Sequence, residues 1–353
     1  MGKGATITAQ LECPAPLAGG ETILLGHGSG GRLTAELIRE LFLPAFSSPA
    51  LARLDDQAVV SVNGCRLAFT TDSFVVKPLF FPGGDIGSLA VHGTINDLAM
   101  GGARPLFLSA AFIIEEGFAI AELRRIVDSF HEAATAAEVE IVTGDTKVVE
   151  RGSGDGVFIN TSGIGMVPKG LELSASQARP GDQVLLSGAI GEHGMAILAQ
   201  REGLEFESTI RSDSAALHGL VAEMLKATRE IRCMRDPTRG GLASALNEIA
   251  QQSRVGIEVD EAAIPVGEEV RAACEILGLD PMYVANEGKL VAIVAAEAAD
   301  HALQAMRRHP LGGEARVIGR VKREGAGMVS MRTELGTSRM VDMLAGDQLP
   351  RIC

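Results

Sequence analysis

The feature that most restricts the fold is an alternation of short apolar strand patterns with amphipathic helix patterns on both sides of one break. The break, PKGLELSASQARPGD at residues 168–182, interrupts the apolar pattern with proline, glycine and polar residues. Strands that alternate with helices pack as layers, with helices covering a sheet. Because 353 residues suffice for two separate cores, we predict two domains of mixed α/β layers, an α+β class, that meet near residue 170.

Local patterns support this division. In the first half, QAVVSV and RLAFTTD flank Asn63-Gly64, a pair that favours a two-residue hairpin turn. The stretch that follows Asp85 predicts a helix with Asp85 as its N-cap and an end at Gly101-Gly102, and residues 119–137 predict an amphipathic helix. In the second half, strand patterns such as QVLLSG and KLVAIVAA again alternate with helix patterns.

Charge and composition exclude several classes of protein. The net charge of −13 argues against nucleic acid or an anionic membrane surface as the main partner. No stretch reaches the roughly 18 apolar residues of a membrane span, and the start lacks the apolar core of a secretory signal. The five cysteines form no CxxC pair, so neither a disulfide framework nor a common zinc-finger site is expected. We expect a cytoplasmic protein.

A glycine-rich stretch near the start, ETILLGHGSGGRLTAELIREL, has three possible interpretations. Gly26, Gly28 and Gly31 match G-x-G-x-x-G between a short strand pattern and a helix pattern, which is typical of dinucleotide binding. A P-loop is rejected, because Arg32 and Leu33 occupy the positions of the phosphate-binding lysine and the Mg²⁺-binding hydroxyl. A glycine-rich turn without a ligand stays open as the third interpretation.

Acidic side chains stand where apolar elements meet. They occur in LDDQA (Asp55, Asp56), TTDS (Asp72), TINDLAMGG (Asp97), TGDTK (Asp145, beside Lys147), RDPTRGG (Asp236) and ANEGK (Glu287). Any one of them alone is more typical of a helix cap or a surface carboxylate. Together they suit Mg²⁺, which prefers carboxylate, water and nucleotide phosphate oxygens. The pattern therefore predicts binding of ATP through Mg²⁺.

The chain ends on a thiol, Cys353. An idle terminal residue is one interpretation of it. The other is a tether, because the last dozen residues, if extended, span roughly 40 Å at about 3.3 Å per residue. That reach allows the thiol to enter the chain's own active site and also to meet a partner. The other cysteines, at positions 13, 65, 233 and 274, are predicted to be small buried hydrophobic residues.

Several motifs taken together resemble one superfamily. The stretches DDQAVV, TTDSFVV, TINDLAMGGARP, TGDTKV and DPTRGG are similar to motifs shared by the ATP-using aminoimidazole-ribonucleotide synthetases and selenophosphate synthetases. The resemblance runs from about Gly26 to Val321. Within this group, HGSGGR, NEGKLV and the terminal PRIC resemble the carbamoyl dehydratases of nickel–iron hydrogenase maturation. The glycine loop lacks the Cys or Sec that selenophosphate synthetases carry there.

The resemblance implies a two-domain PurM-like fold. Its parts are a variable extension at 1–20, an ATP-binding and dimerisation domain at 21–170, a C-terminal α/β domain at 171–340 and a mobile tail at 341–353. The resemblance also implies a homodimer, in which the two N-terminal sheets join into a β-barrel and ATP binds near the seam.

The resemblance further implies a reaction and its partners. A carbamoyltransferase of the HypF type loads a carbamoyl group onto Cys353, and the chain then uses ATP to dehydrate this thiocarboxamide to a protein thiocyanate. The nitrile becomes the cyanide ligand of the hydrogenase iron, on an iron-carrying scaffold of the HypC–HypD type. The chemistry is reasonable, because an amide oxygen leaves far more readily as phosphate than as hydroxide.

Residue roles carried over from the family form three groups. The implied Mg²⁺ ligands are Asp56, with Asp55 as its rival, Asp72, Asp97 and Asp236. The implied nucleotide-binding residues are Asn96, Gly144, Asp145 and Thr146. The implied catalytic residues are Cys353, Lys147 and Glu287, the last two for proton removal or for steering the carbamoyl group. A surface ion pair is the alternative for Lys147 and Glu287, and the histidines at 27, 92 and 193 are expected to pack or to contact backbone.

Two other functions remain open from the sequence. One is a sister synthetase that acts on a free small molecule, for which Cys353 is irrelevant. The other is a non-catalytic maturation scaffold whose tail serves as a docking peptide or an iron ligand. A single thiol is a weak basis for an iron site, since stable sites recruit several ligands.

Overall fold

The computed structural model describes residues 22–202, 210–344, 346, 349 and 351–353. The strands are β1 (Ala58–Val62), β2 (Cys65–Phe74), β3 (Phe80–Phe81), β4 (Gly84–Asp85), β5 (Arg104–Glu115), β6 (Glu140–Val149), β7 (Val157–Met166), β8 (Gln183–Leu186), β9 (Ile231–Arg235), β10 (Gly256–Asp260), β11 (Val291–Val294), β12 (Arg316–Lys322), β13 (Val329–Arg332) and β14 (Ser338–Met340). The α-helices are α1 (Arg32–Leu37), α2 (Leu43–Phe46), α3 (Ile86–Met100), α4 (Ile120–Ala136), α5 (Glu192–Arg201), α6 (His218–Ala227), α7 (Gly241–Ser253), α8 (Glu268–Leu277) and α9 (Ala299–Arg308).

Within these residues the strands form two main sheets. The first has the order β1-β2-β7-β5-β6, and the second has the order β14-β13-β10-β12-β8-β11-β9. The first sheet and its helices lie before the predicted break at 168–182, and the second sheet lies after it. The α+β class and the division into two layered halves are therefore confirmed. None of the helices in the described ranges is long and apolar enough to cross a bilayer.

The first sheet has two different faces. Alternate strand residues such as Phe74, Leu108 and Ile159 are buried in one cluster with side chains of α3 and α4. The residues between them point outward, and several are large, apolar and exposed: Val60, Val62, Phe69, Phe107, Ile164 and Met166. Registers that pair Phe69 and Phe107 with Ile164 place these side chains on one surface, here called the outer face. An apolar surface of this kind is characteristic of an interface.

The helix α3 joins the two halves. Asp85 caps its start, and the carboxylate accepts hydrogen bonds from the amides of Gly87 (2.7 Å) and Ser88 (3.1 Å), as the sequence predicts. Near its end, Leu98 lies in one buried cluster with Leu220 of α6. Side chains in the last two turns of α3 therefore lie between the two sheets.

The glycine-rich stretch does not adopt the arrangement of a dinucleotide site. Residues Leu25–Gly28 form a helical turn rather than a strand, so that interpretation is wrong. Gly30 has φ +73° and faces Arg239 so closely that a side chain would collide with it. Gly31 lies against the carbonyl of Leu344, which also accepts a hydrogen bond from the amide of Arg32 (2.8 Å). The glycines thus allow this stretch to pack on two other loops.

The cysteine predictions are only partly correct. Cys233 and Cys274 are buried, as expected. Cys65 is exposed, because it directly follows the hairpin turn at Asn63-Gly64 and faces away from the helices. Cys13 lies outside the described residues.

Candidate active site

A cavity of about 970 Å³ lies between the two halves of the chain. Its lining includes six of the predicted functional residues: Asp56, Asp72, Asp97, Asp236, Glu287 and Cys353. The chain thus brings the four predicted metal ligands together with one predicted base and the terminal thiol.

Each carboxylate reaches the cavity from a different element. Asp72 lies near the end of β2 on its α3-facing side, and Asp97 lies in the last turns of α3. Asp236 directly follows β9, and Glu287 precedes β11. The Thr70 hydroxyl donates a 2.8 Å hydrogen bond to Asp97, which fixes one carboxylate oxygen.

The electrostatics of this cluster favour a bound cation. Burial raises the pKa of Asp236 to about 8 and that of Asp56 to about 6. Burial, reinforced by the neighbouring carboxylates, also holds the pKa of Asp97 well above its usual range. Acidic groups that resist ionisation together are stabilised when a divalent cation neutralises them. The donor set consists of hard carboxylate oxygens, which suits Mg²⁺.

The cluster is not a closed metal cage. No group of three or more His, Cys, Asp or Glu side chains in the described part of the chain is arranged to hold an ion. A cation here therefore depends on additional oxygen ligands, as Mg²⁺ does when it keeps its waters and shares substrate phosphates.

The two neighbouring aspartates differ in their environments. Asp55 accepts hydrogen bonds from the Ser174 hydroxyl (3.0 Å) and the Ala175 amide (3.1 Å) and pairs with Arg53 (2.9 Å). The Asp55 carboxylate thus holds in place the segment around Ser174 and Ala175, which connects the two sheets. Asp56 instead pairs with Arg235. This difference favours Asp56 over Asp55 as a candidate ligand, although Asp56 must share its charge with the arginine.

Among the acids of the cavity, Glu287 is distinguished by its deep burial and by a carboxylate oxygen without a hydrogen-bond partner in the described residues. It is 2% exposed, and its Oε1 has no hydrogen-bond partner in the described residues. Its backbone is fixed, since its amide donates to Asp213 (3.0 Å) and its carbonyl accepts from Asn96 (3.2 Å). Burial, followed by repulsion from Asp236 and Asp72, raises the pKa of Glu287 well above its usual range.

Asn96 lies behind the cavity rather than on its wall. Its side-chain amide donates to the carbonyls of Ala215 (3.0 Å) and Glu287, and its oxygen accepts from the Leu217 amide (2.8 Å). These contacts brace the loops that carry Glu287. A nucleotide contact by Asn96 therefore stays a prediction.

The last three residues lie docked beside β2. The Val75 amide donates to the Cys353 carbonyl (3.1 Å), and the Lys77 amide donates to the Arg351 carbonyl (3.2 Å), as between paired strands. His193 Nε2 lies 2.9 Å from the carbonyl oxygen of Ile352, a backbone contact of the kind expected for that histidine. The tail is thus held mainly through its backbone.

Side chains add to this docking. Arg351 forms an ion pair with Asp155, and Arg201 donates a 2.8 Å hydrogen bond to the Arg351 carbonyl. Ile352 is buried in the core of the N-terminal half. Cys353 is 8% exposed, and burial raises the pKa of its thiol to about 12, although Arg239 opposes the shift. The docked thiol is therefore neutral at physiological pH.

Arg239 is a site residue that the sequence analysis did not identify. It lines the large cavity and also a smaller one of about 150 Å³ beside Cys353. Its Nη2 lies 3.7 Å from Oδ1 of Asp72. The sequence offered one indication of this residue: in the motif DPTRGG, Arg239 follows the candidate metal ligand Asp236 by three residues.

The remaining predicted residues lie elsewhere. Gly144, Asp145, Thr146 and Lys147 are exposed on the edge strand β6. The register runs from Asp72 across β7 and β5 to Gly144, three strand spacings or about 14 Å. Asp145 and Lys147 form a 2.9 Å ion pair, with side chains 61% and 69% exposed. Within one chain, Lys147 therefore lies in a surface ion pair, with Asp145, and not in the cavity.

Comparison with known proteins identifies the family. "Carbamoyl dehydratase HypE" of Cupriavidus necator is 62% identical over 330 residues, which cover 93% of this chain and 94% of the relative. The chain belongs to the HypE family. Two family models also match: "AIR synthase related protein, N-terminal domain" at residues 54–167 and "AIR synthase related protein, C-terminal domain" at residues 179–331. The resemblance inferred from the motifs is confirmed.

Solved structures of the family are similar over most of the chain. A crystal structure of hydrogenase maturation protein HypE in complex with ATP has a TM-score of 0.80 and 52% identity, and the match covers 94% of this chain and 100% of that one. A HypE–HypF complex has a TM-score of 0.83 and 51% identity, covering 87% and 99%. The similarity of this chain to the HypE family therefore holds for the fold as well as for the sequence.

Proposed function

We propose that this chain is an ATP-dependent carbamoyl dehydratase that acts on a carbamoyl group carried by its own Cys353. The product is a protein thiocyanate, which supplies the cyanide ligand in nickel–iron hydrogenase maturation. The observation that carries the proposal is the position of the Cys353 thiol in the lining of the same cavity as four aspartates and Glu287. Similarity to relatives named as carbamoyl dehydratases, one of them solved with ATP, supports the same reaction.

The reaction begins when the carboxamide oxygen attacks the γ-phosphorus of ATP and ADP leaves. Removal of the two N–H protons then expels the oxygen as phosphate and leaves S–C≡N on the tail. The net change is thiocarboxamide plus ATP to thiocyanate, ADP and phosphate, so no other co-reactant is needed. Phosphoryl transfer of this kind depends mainly on positioning and on neutralisation of charge.

Glu287 is the proposed base. Its unpartnered carboxylate oxygen belongs to a side chain that lines the cavity, and its raised pKa makes it a stronger base than an ordinary glutamate. Its backbone is fixed, and it lines the same cavity as Cys353, which would carry the carbamoyl group. A base near the nitrogen is what the loss of two N–H protons requires.

The aspartates are the proposed ligands of Mg²⁺. Asp72, Asp97 and Asp236 are the proposed protein ligands, and Asp56, which pairs with Arg235, is a fourth candidate. Water and nucleotide phosphate oxygens would supply the rest of the coordination. When bound, the ion neutralises the triphosphate and the charge that develops during phosphoryl transfer. The mutual repulsion of the buried carboxylates supports this assignment.

A HypF-type carbamoyltransferase is the proposed source of the carbamoyl group, in line with the solved HypE–HypF complex. The HypC–HypD-type scaffold is the proposed acceptor. A homodimer is proposed because the outer face of the N-terminal sheet is apolar and the cavity lining extends to Phe69 and Thr71, which lie on that face. The partner's outer face would bring Asp145 and Lys147 toward the cavity, together with Gly144 and Thr146.

Intact-protein mass spectrometry tests the function directly. Full-length chain carbamoylated on Cys353 is expected to lose the mass of one water when MgATP is added, and not with ADP or without nucleotide. The Cys353→Ala variant cannot carry the group but should still bind ATP. A chain that consumes ATP on a free small molecule despite Cys353→Ala would instead support a sister synthetase, and a chain that never turns over ATP would support a scaffold.

A further inference from the structure

We propose that Arg239 is a catalytic residue of this reaction, one that binds the phosphoryl oxygens as they transfer to the carbamoyl oxygen. The inference rests on the proposed function and deepens it. It places a positive charge from the same chain beside the transferring phosphate, whereas Lys147 of that chain lies on the exposed strand β6.

Arg239 borders the two cavities in which the reacting groups are proposed to lie. It lines both the carboxylate cavity and the smaller cavity beside the tail, so its side chain forms part of the wall between them. Cys353 also lines both cavities, and Nη2 of Arg239 lies 3.7 Å from Oδ1 of Asp72. A cation here meets a group on the thiol from one side and a nucleotide held by the aspartates from the other.

The backbone around Arg239 is held tightly. The Thr238 amide donates to the Asp236 carbonyl (2.9 Å), and the Gly241 amide donates to the Thr238 carbonyl (2.9 Å), which fixes the turn before α7. Gly30 packs against this turn so closely that only a glycine fits. These contacts therefore fix the position of the backbone from which the Arg239 side chain extends.

The other arginines of the large cavity are occupied. Arg235 pairs with Asp56, contacts Glu248 at 3.3 Å and donates to the carbonyl of Leu54 (2.6 Å). Arg39 contacts Gln251. For Arg239, the ion pairs seen among the described residues comprise only the 3.7 Å contact with Asp72, and its side chain is 42% exposed. Its donors are thus available to a ligand.

The chemistry suits a guanidinium. Arginine stays charged at all physiological pH values and presents a planar fork of N–H donors that matches phosphate oxygens. Arg239 would therefore donate hydrogen bonds to the γ-phosphoryl oxygens while the carbamoyl oxygen attacks, and to the phosphate as it leaves. It transfers no proton itself, so proton removal remains with the base.

Single-turnover mass spectrometry of the carbamoylated full-length chain tests this role. With saturating MgATP, Arg239→Gln is expected to slow the loss of water at least about 100-fold, the effect of removing one donor to a developing charge. Arg239→Lys should be intermediate, and added ethylguanidinium should partly restore Arg239→Gln but not Asp97→Asn. ATP affinity by titration calorimetry should change much less than the rate. Arg308→Gln, which removes an exposed cation at the end of α9, away from both cavities, is the matched control.

Two results would overturn the proposal. One is an Arg239→Gln chain that loses water within threefold of the unmodified rate. The other is a defect that appears only as a higher KM for ATP with an unchanged kcat, because that would make Arg239 a ground-state contact. If the unmodified chain itself loses no water with MgATP, the proposed function fails, and that result is read before any variant is compared.

Discussion

The cavity and the β6 strand carry similar acidic residues in opposite settings. Asp97 and Asp236 are buried, and their pKa values are raised, chiefly by burial. Asp145 is exposed, and its hydrogen bond with Lys147 lowers its pKa. Both groups were predicted to form one site. The difference teaches that one chain brings the cavity carboxylates together by itself, whereas the β6 residues would join them only if another molecule brought them there.

Because β6 is an edge strand, a second copy of this chain is the natural candidate for the molecule that brings the β6 residues to the cavity. Asp145 and Lys147 pair with Ala111 and Ile113, so they lie on the outer face with the exposed apolar residues. Apolar faces and open edge strands are surfaces that proteins usually cover. Single variants and mixed dimers distinguish residues that work within one chain from residues that work between two.

The largest effect is expected from the cavity half. Asp97→Asn keeps the shape of the side chain but removes a charge that Mg²⁺ would need, so ATP-dependent loss of water should fall by about 10²–10⁴-fold. Intact mass against time measures the rate. Asp128→Asn, on the exposed side of α4, is the matched control and should convert normally. A fully active Asp97→Asn chain would contradict the metal site.

A mixing experiment separates the two halves. Lys147→Ala and Cys353→Ala chains should each fail to form thiocyanate alone. If Lys147 acts across a dimer seam, mixed dimers restore one site, in which the Lys147→Ala chain carries the thiol and its partner supplies the lysine.

Random mixing of equal amounts makes half of the dimers mixed, so roughly a quarter of the sites should recover. Intact mass identifies which chain loses water. If no activity returns although the chains exchange, Lys147 does not act across a dimer seam, and the β6 residues do not join the cavity of a second copy.

A smaller effect concerns the docked thiol. Because burial raises the pKa of Cys353 to about 12, little thiolate exists at pH 8, and iodoacetamide should alkylate it at least about 100-fold more slowly than the exposed Cys65. Releasing the tail should return the thiol toward its ordinary pKa and increase the rate. Peptide mapping after timed alkylation measures both cysteines in the same sample.

The release can be engineered at the ion pair of the tail. Asp155→Ala removes the partner of Arg351, whereas Asp128→Ala changes an acid away from the tail. Faster alkylation of Cys353 in the first variant only would support docking through Arg351. Equal rates for Cys353 and Cys65 in the unmodified chain would show that the thiol is not held in the cavity in solution.

Some features of the fold and of the candidate site could be predicted from the sequence, and others could not. The Asn63-Gly64 hairpin and the Asp85 cap were predictable, because each depends on local geometry. The junction carboxylates were expected to act together and do line one cavity, whereas their role as metal ligands stays a prediction. The docked tail and Arg239 were not, because they depend on contacts between residues far apart in the chain, such as His193 with Ile352. The separation of Lys147 from the cavity could not be predicted either, because it follows from the order of the strands in the sheet.

The smallest expected effect is the pH dependence of stability without metal. The pKa of Asp236 rises from 3.8 to about 8 on folding, so the folded chain binds more protons than the unfolded chain between these values. Stability should therefore fall as pH rises from 5 to 8, and Tm should drop by on the order of 5 °C. Asp236→Asn should flatten this slope, and Mg²⁺ with ATP should offset it by binding the ionised form. Calorimetric scans at several pH values measure the slope, and an opposite slope in the metal-free chain would mean that the carboxylates are already neutralised by other groups.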